Sequence, residues 1–291
     1  MSTPTLAPST QDPEAFYEDY VQHHVPYHLN PVGLKGWVLR FLPYWSWREW
    51  RFWNRYIPSE GVLLDLGSAR GREVFAERSG ASIGLDIAPT ALNDCARHYQ
   101  LAMRANLFPI PLRDQSVDCV VTSHVLGHVA PAEKDGLLSE IARVLKPGGK
   151  SIHVVETDST HPLVTFAKQY PELYQRYFVE PDGHIGLDMP SAVLESFRQH
   201  GLRVVRCYKM DAGVFHPRLM LKHFDNELRS HSAKVDRMVR LSAWIMDRPV
   251  ALAITEVLLG IHHYSIGQWI CPLERAQFLA VVLEKSDGRR T

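Results

Sequence analysis

A doubly wound α/β sheet is the fold class that this sequence predicts, and three observations predict it. Between Gly61 and Glu156 short apolar runs alternate with segments of helical period, the pattern of a parallel sheet covered by helices. A glycine-bearing turn, Asp65-Leu66-Gly67-Ser68-Ala69-Arg70-Gly71, joins the first apolar run to the first helix. Two further apolar runs, Leu202 to Tyr208 and Gln277 to Leu283, are separated by a long segment in which Val235, Met238, Val239, Ile245 and Met246 keep a helical beat.

The elements follow in order. Val62 to Leu66 is a buried strand, and Arg72 to Ser79 a helix stopped by Gly80, whose backbone freedom suits a C-terminus. Ser82 to Asp86 is the second strand. Pro89 fits the first turn of a helix running to about His98, because its missing N–H is not needed there. Leu101 to Asn106 is a short third strand and Asp118 to Ser123 the fourth. Leu137, Leu138, Ile141, Val144 and Leu145 recur on one helical face, and Lys146-Pro147-Gly148-Gly149 ends that helix before the strand Ser151 to Glu156. A helix from about Ser191 to His200 leads into the strand at Leu202.

Ahead of the sheet, Met1 to Glu14 holds Pro4, Pro8 and Pro13 with neither a positive n-region nor an apolar h-region, so it reads as a floppy leader and not a signal peptide. Residues 17 to 56 crowd twelve aromatic side chains, from Tyr17 and Tyr20 to Trp53 and Tyr56, with Arg40, Arg48, Arg51 and Arg55 between them. A helical cap packed on the sheet is the favoured reading. An interfacial helix with membrane contact through residues 37–56 is the other. The expected organisation is leader and cap at 1–58, a sheet core at 59–214, a helical insertion at 215–273, and the last strand with a tail at 274–291.

Composition narrows the function classes. Lys plus Arg equals Asp plus Glu at 32 each, so the summed positive field that drives phosphate-backbone binding is missing and no nucleic-acid partner is expected. Cys95, Cys119, Cys207 and Cys271 are far apart with no Cys-x-x-Cys pair, against a zinc ribbon or a disulfide scaffold. The longest apolar stretch, Val250 to Ile270, is broken by Glu256, His262 and His263, which argues against a bilayer span. A cytoplasmic location is the expectation.

The turn after the first strand lies at the carboxyl edge where open α/β sheets bind ligands. A dinucleotide fingerprint would need glycines at 67, 69 and 72, whereas the chain has Gly67, Ala69 and Arg72. The turn instead resembles the first motif of class I S-adenosylmethionine-dependent methyltransferases, Asp/Glu-x-Gly-x-Gly-x-Gly, which Asp65, Gly67 and Gly71 match with Ala69 in the middle place. Asn106 to Asp118, Ser123 to Val129 and Glu140 to Gly149 then follow in that family's order and spacing. The resemblance covers residues 61 to about 156 well and 189 to 208 loosely; Gly127 stands where the family often has Glu.

The resemblance implies a Rossmann-like sheet, mostly parallel with an antiparallel last strand, and a site for S-adenosyl-L-methionine that releases S-adenosyl-L-homocysteine. The cofactor would be held by Asp65, Gly67, Ser68, Ala69, Gly71, Asp86, Ile87, Asn106, Leu107 and Ser123, with Asp86 accepting both ribose hydroxyls and Asn106 meeting the adenine amino group. Asp65 has a second reading, bracing the turn without touching ligand. Alignment of the reactants supplies roughly 7 to 11 kcal/mol, against about 3 to 5 for a general base, so a base helps and is not obligatory. His124 and His128, just after the fourth strand, are the candidates, since a neutral imidazole titrates near working pH. Each is equally readable as a structural residue closing the turn. Metal is not expected, because Val125 stands where a His-Glu-x-x-His motif needs Glu. The acceptor expected is a partly apolar small molecule methylated at oxygen, with Tyr20, His24 and Tyr27 reaching it if the cap folds over the pocket. A lipid or membrane-borne acceptor and a non-catalytic cofactor-binding module are the alternatives.

Overall fold

The computed structural model describes residues 13–23 and 41–286, with the backbone alone at Pro13 and residues 20–23. Val62–Leu66 (β1), Ala81–Asp86 (β2), Leu101–Arg104 (β3), Val117–Ser123 (β4), Leu145–Glu156 (β5), Leu202–Met210 (β6) and Phe278–Lys285 (β7) form a seven-stranded sheet in the order β3-β2-β1-β4-β5-β7-β6. β7 runs antiparallel to both β5 and β6, and the pairs among β1 to β5 are parallel. The sheet is therefore the mostly parallel, Rossmann-like one with an antiparallel last strand, and the order reverses at β1 and β4, where such sheets open a crevice.

Alternation along the strands divides the core. Leu64 and Leu66 of β1 and Val120 of β4 face the helices Pro131–Val144 and Pro190–Gln199, whereas Leu63, Cys119 and Val121 face Phe75, Cys95 and the helix Arg48–Tyr56. Both faces are covered, so the strands read as continuous apolar runs. The expected break at Lys146-Pro147-Gly148-Gly149 is instead part of β5. Val117 pairs with Leu145, Cys119 with Lys150, and the loop residues between bulge out of the ladder with Gly148 at φ +72°. The helix at Pro89 also ends early, at Cys95, and gives way to a turn.

The insertion after β6 is helical as its periodicity indicates: Pro217–Phe224, Ala233–Met246, Pro249–Tyr264 and Ile266–Ile270. The link from β5 to β6 holds a short helix, Pro162–Lys168, that sequence periodicity does not reveal, because seven residues barely span two turns. Val164, Phe178, Phe215, Phe224, Leu228, Val235 and Val239 form a separate core, and Trp45 of the cap is buried in it. Cap and insertion thus share one core above the carboxyl edge of the sheet.

Buried polar groups tie these segments. Glu256 accepts hydrogen bonds from the Ser46 amide (2.8 Å), the Ser46 hydroxyl (2.5 Å) and His216 Nε2 (3.0 Å). Asp211 at the end of β6 accepts from Trp45 Nε1 (2.8 Å) and pairs with Arg48 (3.1 Å). Trp45, Trp47, Phe52 and Trp53 are all buried, as a packed cap requires. Residues 1–12 and 24–40, which include most of the leader and part of the 37–56 segment, lie outside the described residues.

Candidate active site

At the tip of β1 the chain turns through three left-handed residues, Gly67 (φ +69°), Ala69 (+44°) and Gly71 (+77°). The amides of Gly67 and Ser68 both donate to the Leu85 carbonyl, which lays the loop across the end of β2. Gly67 has to be glycine on a second count, because a Cβ there would come within 2.6 Å of Val125. Asp86 accepts from the amides of Ala69 (2.7 Å) and Ala88 (2.9 Å), one on each oxygen. A carboxylate offers about four acceptor positions, so room remains at the cavity wall for a hydroxyl donor. Burial raises the Asp86 carboxyl above its ordinary value, while its amide partners pull it back.

Asp65 is buried beneath this loop and accepts from the Tyr99 hydroxyl (2.7 Å). Burial pushes its carboxyl up to about 7, against the lowering effect of Tyr99 and Arg72. The loop amides are thus held by Leu85 and Asp86, and Asp65 bonds to Tyr99. Arg72, the residue that breaks the dinucleotide pattern, reaches from the first helix to the Ser123 hydroxyl (2.6 Å) and so fixes the tip of β4 against that of β1.

Beyond Ser123 the backbone turns at His124, φ +60°, a left-handed conformation uncommon for a residue of this size. Its ring is clamped: Nδ1 faces Glu156 Oε1 at the end of β5 (2.5 Å) and Nε2 faces both oxygens of Glu49 (3.2 Å each). Burial disfavours the imidazolium, yet the two carboxylates outweigh it and push His124 up to about 10. Burial alone would raise Glu156, but the charged ring beside it holds that carboxyl at about 2. His128 sits differently. Its Nδ1 faces the Gly183 carbonyl (3.2 Å), and burial pushes its pKa down to about 4. The two carboxylates thus favour the charged form of His124, and burial favours the neutral form of His128.

Asp65, Arg72, Asp86, Ser123, His124, His128 and Glu156 line one cavity of about 1100 Å³, with Glu49 and Tyr99 behind its wall. Asp65, Gly67, Ser68, Ala69, Gly71, Asp86, Ile87, Asn106, Leu107 and Ser123 line one part of it, together with His124 and His128. Of the acceptor candidates, Tyr20 falls in the helix Pro13–His23 with its side chain undescribed, and His24 and Tyr27 lie outside the described residues. That helix contributes Phe16 and Tyr17 instead, and its Glu18 accepts from the Thr90 amide (2.8 Å). Glu49, Glu156 and His184 also border the site and were not singled out by the sequence. Glu49 lies in the first turn of the cap helix Arg48–Tyr56, Glu156 ends a strand and His184 lies in a connecting loop; no local motif joins them.

Residues 64–153 match the family described as "Methyltransferase domain". The demethylmenaquinone methyltransferase of Tropheryma whipplei (strain Twist) is 32% identical over 146 residues, 48% of this chain and 59% of that protein. The tRNA (carboxymethyluridine(34)-5-O)-methyltransferase of Arabidopsis thaliana is 30% identical over 94 residues, 32% of this chain and 23% of that one. The chain thus spans less than two thirds of the length of these curated relatives. Among solved structures, the [4+2]-cyclase SpnF aligns over 83% of this chain and 82% of its own at a TM-score of 0.51 and 17% identity, a likeness of fold. The Asp86 carboxylate at the cavity wall and the glycine cradle beside Val125 suit a ribose-bearing ligand, in keeping with the match of residues 64–153 to a methyltransferase domain.

Proposed function

We propose that this chain transfers a methyl group from S-adenosylmethionine to an oxygen of a partly apolar small molecule. S-adenosylmethionine, when bound, supplies a methyl group already activated as a sulfonium. The observation that carries the reading is the continuity of the cavity. At about 1100 Å³ it exceeds the roughly 300–1000 Å³ of a pocket for one ligand, and so has room for cofactor and acceptor together. Asp86 and Asn106 would hold the ribose and adenine over β2 and β3. The acceptor would lie under the cap, against Phe16, Trp50, Val129 and Leu219, with its reacting oxygen turned toward His128, Glu156 and His184. Glu49 and Glu156 keep His124 charged and immobile, so its part is to fix the charge and shape of the wall. Balanced charge over the chain favours a small acceptor over nucleic acid.

Calorimetry with S-adenosylhomocysteine tests the cofactor part: Asp86→Asn is expected to bind at least tenfold more weakly. Equal heats from the variant and the unmutated protein sink it. Transfer of radiolabel from S-adenosylmethionine to a panel of phenols and hydroquinones tests the acceptor part, and label on amines alone counts against oxygen.

A second reading places the acceptor in a membrane. It is favoured by an exposed apolar stripe, Val250, Ile254, Leu258 and Ile261 on one helix, continued by Trp269 (88% exposed) and Ile270. Exposed Lys234, Arg237, Arg240 and Arg248 border it, and the Arg248 guanidinium lies over Trp244 at 4.5 Å, an arrangement suited to anionic lipid. Among the described residues no helix is long and apolar enough to cross a membrane. Sedimentation with phosphatidylglycerol vesicles that Val250→Glu and Trp269→Glu leave unchanged disposes of this reading.

A further inference from the structure

We propose that His128, Glu156 and His184 form a binding site for a divalent transition-metal ion, and that the bound ion holds the acceptor's oxygen. The second half rests on the methyl-transfer reading above; the first half does not.

The three residues come from the turn after β4, the end of β5 and the loop before the helix Pro190–Gln199. One ligand atom from each lies within 4.8 Å of the other two, so a short side-chain adjustment closes them to the 2.0–2.2 Å bonds of an imidazole and carboxylate site. Glu156 and His184 approach to 4.0 Å, and the rings of His128 and His184 to 5.1 Å. Glu156 Oε2 and His184 Nδ1 are buried with no hydrogen-bond partner among the described residues, in side chains only 7% and 10% exposed. A buried carboxylate oxygen left without a donor calls for a partner that the fold does not supply, and Glu156 Oε2 is such an oxygen at the cavity wall.

The surroundings are arranged as for a metal. His128 directs Nδ1 at the Gly183 carbonyl, which selects the tautomer with its lone pair on Nε2, the orientation that metal-bound histidines receive from a backbone acceptor. Glu156 Oε1 is held by His124, leaving Oε2 as the oxygen without a partner. The loop carrying His184 is strapped down by the amides of Ile185 and Gly186, both donating to the Gly127 carbonyl at 3.0 Å. Gly127 itself has no side chain to intrude: a Cβ there would come within 3.1 Å of His184 Cδ2 and 3.3 Å of Glu156 Oε2.

Two imidazoles and a carboxylate select zinc, cobalt, iron or manganese over magnesium or calcium, which take all-oxygen sets. Three protein ligands leave a position open, and all three residues line the cavity. An acceptor hydroxyl in that position ionises more readily: its O–H bond breaks with the proton passing to water, then an oxygen lone pair forms the O–CH₃ bond as the S–CH₃ bond breaks, leaving neutral S-adenosylhomocysteine.

The test uses the untagged full chain stripped with EDTA and titrated with Co²⁺, read by calorimetry and visible absorption, with Zn²⁺ as competitor. One equivalent of Co²⁺ with a d–d band, displaced by Zn²⁺, is expected, and His184→Ala and Glu156→Gln should each weaken binding at least tenfold. No binding, or binding unchanged in both variants, overturns the site. His184→Gln replaces His184→Ala if the latter fails to fold. S-adenosylhomocysteine titrated into the same samples separates the two readings. Its binding without Co²⁺ binding removes the metal site alone; Co²⁺ binding without it removes the methyl-transfer reading and leaves the metal site standing.

Discussion

Ala69 occupies, at φ +44°, a backbone conformation that costs an alanine about 1–2 kcal/mol and a glycine almost nothing. Glycine would return roughly 0.4–1 kcal/mol through its freer unfolded chain. Ala69→Gly is therefore expected to stabilise the protein by about 1 kcal/mol, read as a higher urea midpoint at unchanged slope. Asp65 gives a pH signature. Its folded pKa, raised by burial from 3.8 to about 7, means that the folded state binds this proton more tightly than the unfolded chain. Stability from this group is fully present below about pH 4 and is lost as pH rises toward 7, at up to about 1.4 kcal/mol per unit. The gap between the unmutated protein and Asp65→Asn should accordingly move against the unmutated protein across that window; parallel curves would show that Asp65 does not titrate there. At this scale the sequence was legible where a residue type is demanded by backbone geometry or by a strand tip, as at Gly67, Gly71 and Asp86. It was silent on Glu49, Glu156 and His184, because their meeting at His124 and His128 depends on three chain segments brought together only by the fold.

The secondary elements were readable wherever apolar periodicity ran for several turns or alternated with a clear stop, as with β1, β2, β4 and the helix Pro131–Val144. Lys146-Pro147-Gly148-Gly149 looks like a turn by composition, and the structure uses it as a bulge inside β5, since the ladder resumes at Lys150. Attachment of the cap was hidden for another reason. It depends on a buried carboxylate, Glu256, that interrupts an apolar helix, and its partners Ser46 and His216 are far away in sequence. Removing it strands the Ser46 amide and hydroxyl and the His216 ring away from water, so Glu256→Ala should lose about 3–5 kcal/mol. Denaturant unfolding checks the number. A loss below about 1 kcal/mol would mean that the apolar contacts of Trp45 hold the cap by themselves.

At the scale of the molecule, sheet and helical lobe both line the large cavity, so any ligand that fills it bridges both. S-adenosylhomocysteine at a hundred times its dissociation constant should stabilise the chain by about 2.7 kcal/mol, visible as a rise in melting temperature that grows with the logarithm of ligand concentration. A flat melting temperature would mean that the cavity does not take this ligand. The bare position at Gly127 bears on how the chain is compared with others. Aligned column by column against chains with glutamate there, this protein would be scored as having forfeited an acid, yet the Glu156 carboxylate stands 3.3 Å from where that side chain would begin. The cavity wall therefore carries a carboxylate beside position 127 even though the residue there has no side chain, and any side chain introduced at 127 would meet that oxygen.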